Sequence, residues 1–218
     1  MTGLALSHFL AGGMVLLSFM FLYQDRLPPL INLYAAQALL LSLSVAWQAH
    51  TQAAPGLLVT AGIALCFKAA VIPLVLHRLV RDLRIHRTVE TVVGIGLTML
   101  AGIVLVALSM VLMIRAASVI DIVAREDMAF SLSIILLGLL MMVTRRNAVS
   151  QVVGFMSIEN GLILAATGAK GMPFVVETSV GFSILVAFIV IGIFLFRIRE
   201  RFDTVDVTML DQFRGERQ

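Results

Sequence analysis

Seven apolar runs follow one another along this chain, each about as long as a bilayer is thick. They are Thr2–Tyr23, Pro28–Trp47, Gly56–Val80, Thr91–Ile114, Met128–Thr144, Ala148–Thr167 and Met172–Phe196. A hydrocarbon core of about 30 Å is crossed by about 20 helical residues. Alternation of apolar and polar positions, the mark of a membrane β-strand, is absent. Sixty per cent of the 218 residues are hydrophobic and 13 % are charged, more apolar side chain than the roughly half that is usual in a soluble domain. The expected fold is an all-α integral membrane protein of about seven transmembrane helices. The amino terminus lacks the basic stretch of a cleaved signal, so the first run reads as a permanent span.

The links between runs are short, which makes neighbours antiparallel. Only Arg115–Asp127 is longer, and its AASVIDIVARED pattern suits either a short interfacial helix or a loop. Basic residues then set the orientation. Arg26, Arg78, Arg81, Arg84, Arg87, Arg145, Arg146, Arg197, Arg199, Arg201, Arg214 and Arg217 fall on one face; Arg115, Arg125 and Lys170 fall on the other. The arginine-rich face is expected to be cytoplasmic. That puts the amino terminus outside and the carboxyl terminus in the cytoplasm. Three regions are expected: residues 1–127 with four spans, residues 128–196 with three, and a polar tail over residues 197–218.

Several functions are excluded by composition. Cys66 is the one cysteine, so neither an intrachain disulfide nor a cysteine-ligated metal is possible. His8, His50, His77 and His86 show no metal-ligand spacing. No nucleophile–base pair or phosphate loop is visible, and no folded basic face offers itself to nucleic acid. The expectation is no catalytic residue, no metal and no cofactor in this chain.

Three formal charges lie inside spans: Lys68, Glu159 and Glu177. An ionised side chain at the bilayer centre costs about 3 kcal/mol on insertion scales, and such groups commonly mark an ion or proton path. They are the candidate proton-path residues. The alternatives are that Glu159 only pins a helix contact, that Glu177 is a wetted rim residue, and that Lys68 snorkels to the headgroups. Lys68 precedes Pro73, whose missing N–H should break helix geometry beside the lysine. In the sixth span Ser150, Gly154, Ser157, Gly161, Ala165 and Gly168 recur at spacings of three and four, a stripe for close helix approach. Glu159 points away from that stripe and is expected to face another subunit. His8 reads as a packed residue. The HRLVRDLRIHR segment reads as an orientation signal, a contact for anionic lipid or a dock for a soluble subunit.

Three carboxyl-half segments, RRNAVSQVVGFMSIENG, VVETSVGFSILVAF and FDTVDVTMLDQFRGE, resemble the K subunit of bacterial complex I. The chain as a whole resembles hydrogenase-4 component E, with FKAAVIPLVLH matching that family's lysine–proline segment. The resemblance implies a bacterial inner-membrane subunit that conducts protons beside larger antiporter-like subunits. The electron-transferring arm, a soluble nickel–iron hydrogenase, would then be an indirect partner. Glu177 matches the glutamate of the K subunit's last helix. Glu159 occupies the acid position of component E, while the other glutamate of the K subunit falls at Met156. Ser183 stands where many component E sequences carry an aspartate. A subunit of a multisubunit cation/proton antiporter and a passive membrane scaffold are the alternative functions.

Overall fold

A computed structural model describes residues 2–82, 93–115 and 122–168, together with Gly192. Glu177, the tail and, Gly192 apart, the expected seventh span lie outside the described residues. The described chain is helical. Helix α1 covers Thr2–Tyr23 and α2 covers Leu27–Thr51. The third run is one rod of three pieces: α3 (Pro55–Ile63), a π-helical segment (Ala64–Val71) and α4 (Ile72–Asp82). Then come α5 (Ile95–Arg115), α6 (Ile122–Thr144) and α7 (Ala148–Gly168). Among the described residues, six segments are long and apolar enough to cross a membrane: Ala5–Tyr23, Leu27–Thr51, Pro55–Arg81, Ile95–Arg115, Glu126–Thr144 and Ala148–Gly168. They correspond to the first six runs.

Local chemistry sets the helix ends. Arg26 is extended and prolines occupy the first turn of α2, where a missing N–H is harmless. Asn147 caps α7: its Oδ1 accepts the backbone N–H of Val149 at 2.9 Å. The open question about Arg115–Asp127 resolves toward helix for its second half, because α6 begins at Ile122. Residues 116–121 lie outside the described set.

Helix α2 packs against α1, the three-piece rod and α7, while α6 packs against α1, α5 and α7. The rod and α5 therefore sit on opposite flanks. Leu97, Leu100, Ile103, Val104, Val111 and Ile114 of α5 are exposed, which suits a lipid-facing helix. The stripe on α7 meets α6 at close range. A Cβ on Gly154 would sit 3.0 Å from the carbonyl oxygen of Gly138, and one on Gly161 would sit 3.0 Å from that of Ser131. Small residues thus let the two backbones touch.

Candidate functional site

The π-helical segment prepares the site. The backbone N–H of Ile72 bonds to the carbonyl of Phe67, five residues back, and the next residue, Pro73, has no N–H. Departure from α geometry beside the lysine is what the proline foretold. Leu65, Cys66 and Phe67 of this segment are exposed, whereas Lys68 is 1 % exposed. Its ammonium points into the bundle. Lys68 is midway along its span, so snorkelling is not how its charge is accommodated.

Lys68 Nζ lies 3.3 Å from Glu159 Oε1 and donates to Asn160 Oδ1 at 2.9 Å. Both charged groups are buried, Glu159 at 3 % exposure. This overturns the expectation that Glu159 faces another subunit. The glycines of the stripe do pack on α6, but the face bearing Glu159 turns toward Lys68 of the same chain. The physical reason is the reach of lysine: its four-carbon stem carries a counter-charge across from the rod to α7.

Uncharged polar groups continue the site. Asn160 Nδ2 donates to Gln37 Oε1 at 3.1 Å, and Gln37 Nε2 donates to Ser18 Oγ at 2.8 Å and Ser157 Oγ at 3.0 Å. Ser18 Oγ donates to the carbonyl of Met14 at 2.9 Å. Tyr34, fully buried, sets its hydroxyl 3.4 Å from Met156 Sδ. The chain Lys68–Asn160–Gln37–Ser18 joins the rod, α7, α2 and α1. In hydrocarbon each of these dipoles would otherwise be unpaired, so the network fixes how four helices meet.

Sequence reasoning missed Gln37, Asn160, Ser18 and Tyr34. The available signal was weak: amides and hydroxyls in apolar runs carry no formal charge. Arg145 was read only as an orientation signal. It is 2 % exposed, and its Nη2 donates to the carbonyls of Leu22 at 2.6 Å and Phe21 at 3.2 Å. Those carbonyls belong to the last turn of α1, which has no helical donors left, and a cation there complements the helix dipole. Burial lowers the guanidinium below its ordinary pKa and nearby Asp25 opposes that; arginine stays charged regardless.

The chain is 30 % identical over 229 aligned residues to the uncharacterized protein Rv0085 of Mycobacterium tuberculosis, covering 96 % of each. It is 27 % identical over 217 residues to hydrogenase-4 component E of Escherichia coli K12, covering 99 % of this chain and all of that one; the same values hold for the Shigella flexneri protein. No family model and no solved structure matches. The similarity runs the full length of a chain built as a bundle of bilayer-length helices, and it makes this protein a relative of hydrogenase-4 component E.

Proposed function

We propose that this protein is an accessory membrane subunit of a complex-I-like, hydrogenase-type assembly and that it conducts protons through Lys68 and Glu159, with Glu177 as a further station. The observation that carries this reading is a lysine and a glutamate, 3.3 Å apart and buried mid-span. An ion pair there and its neutral tautomer differ by the position of one proton. The hydrocarbon surroundings penalise separated charge, which narrows the gap between the two forms. Asn160 accepts a hydrogen bond from Lys68 in either form, because ammonium and amine both donate. The reading extends to partners: antiporter-like membrane subunits alongside, a soluble hydrogenase-type arm beyond them, and the bacterial inner membrane around.

Co-purification in mild detergent should bring down antiporter-like subunits with nickel–iron hydrogenase subunits. In that complex Glu159→Gln should assemble normally, as judged on native gels. Proton translocation into vesicles should fall at least about tenfold, in the range seen when a positioned proton carrier is removed. Full translocation by the normally assembled variant would leave a scaffold as the role of this chain.

A further inference from the structure

At the end of the bundle away from Arg145, α1 and α6 bring together three titratable side chains that the central pair does not use. His8 Nε2 lies 3.1 Å from Glu126 Oε2 and 4.0 Å from Asp127 Oδ1. The Glu126 side chain is 49 % exposed and that of Asp127 only 7 %. His8 Nε2 and Asp127 Oδ1 are shut off from solvent, and neither makes a directed hydrogen bond among the described residues. Phe130 packs against the imidazole with ring centroids 6.2 Å apart. A cavity of about 330 Å³, lined by Met110, Met113, Ile114, Ala129 and Phe130, opens beside Glu126. The charged group that α5 contributes at this end is Arg115, whereas α7 contributes the uncharged Thr167 and Gly168. Gly168 sits directly against Asp127, where a Cβ would be 3.2 Å from the Asp127 Cβ.

A ring nitrogen and a carboxylate oxygen at this separation repel through their lone pairs unless a proton lies between them. A proton on Nε2 would have two carboxylates within 4.0 Å to receive it. Asp127 stands at the head of the α6–α7 seam. Ser131 donates to the Asp127 carbonyl at 2.7 Å, and the Ser131 carbonyl abuts Gly161, the neighbour of Asn160. Glu159 is nine residues from Gly168 along α7, or about 14 Å at the helical rise, on the face of that helix turned toward Lys68.

From this placement we infer that His8, Glu126 and Asp127 form a proton-exchange port on the face opposite the arginine-rich one, serving the central pair. The inference rests on the proton-conducting reading above. Inward, the imidazolium Nε2 proton passes to the Asp127 carboxylate. Nε2 then takes the proton of a protonated Glu126, and Glu126 is reprotonated from bulk water. The net change is one proton moved from bulk to Asp127. Imidazole suits this step because it alternates readily between one and two protons.

The test uses the assembled complex in vesicles, with Glu159→Gln measured in parallel. Asp127→Asn should lower proton translocation about tenfold or more, and Glu126→Gln, whose place water can take, about twofold to threefold. His8→Ala should lose translocation and recover it when imidazole is added on the face bearing the port, a rescue that a structural role would not show. Should Asp127→Asn fail to assemble, Glu126→Gln and the imidazole rescue decide. Wild-type rates in these variants, or a His8→Ala loss that imidazole leaves untouched, overturn the port. If Glu159→Gln is inactive while the port variants are not, the port alone fails. If all translocate fully, the conduction reading fails with it.

Discussion

Lys68 illustrates how a single residue gains its meaning from a partner. Alone at mid-bilayer it is a cost; 3.3 Å from Glu159 it is half of a neutral pair. Removing one partner of a buried ion pair costs about 3–5 kcal/mol, because the other charge is left uncompensated. Lys68→Met is therefore expected to destabilise the purified chain by about that much in reversible unfolding from mixed micelles. Lys68→Met with Glu159→Gln should be more stable than Lys68→Met alone. Simple addition of the two single losses would show that the charges are not coupled. Lys68, Glu159 and Pro73 were legible in the sequence as charges and a helix breaker inside apolar runs. Their pairing was not, since the two charges lie on helices far apart along the chain.

Among the elements, the α6–α7 hairpin owes its closeness to glycines on both sides. Gly138 faces the Gly154 carbonyl, where an added Cβ would meet it at 2.8 Å. That neighbour is backbone and has no rotamer to escape into. Gly138→Ala is expected to cost about 1–3 kcal/mol, the usual penalty of overpacking. Gly12, in the interior of α1, has nothing within 4 Å of an added Cβ. There Gly12→Ala should be neutral or stabilise by up to about 1 kcal/mol, from helix propensity alone. Thermal unfolding of the two variants side by side checks the contrast. The α7 half of this seam was readable as a stripe of small residues. That α6 was the partner was not, nor was it readable that the opposite face of α7 would look inward at Lys68.

For the whole molecule, alternating helix directions collect Arg26, Arg145 and Arg146 at one end and Gln52, Asp127 and Gly168 at the other. Gln52 Nε2 reaches the carbonyl of Thr167 at 2.9 Å, tying the ends of α2 and α7 together. The arginine-rich end is expected in the cytoplasm. In a Cys66→Ala background, the exposed Ala53→Cys should react with an impermeant thiol reagent added to spheroplasts. The exposed Arg146→Cys should react only in inverted vesicles. The reverse pattern would invert the molecule, and with it the face to which the His8 port opens.

Hydrophobicity summed over about 20 residues is a local property, so the bundle of spans could be read directly from the chain. The same holds for the proline-led start of α2 and the break beside Pro73. The tertiary structure decided which polar groups meet. Lys68 bonds to a residue 92 positions away, Gln37 to one 120 away, and Arg145 to one 124 away. No window of sequence holds both partners of such a bond. In a medium without water, an amide or a charge is stable only where another helix supplies its partner, and which helix does so is settled by packing.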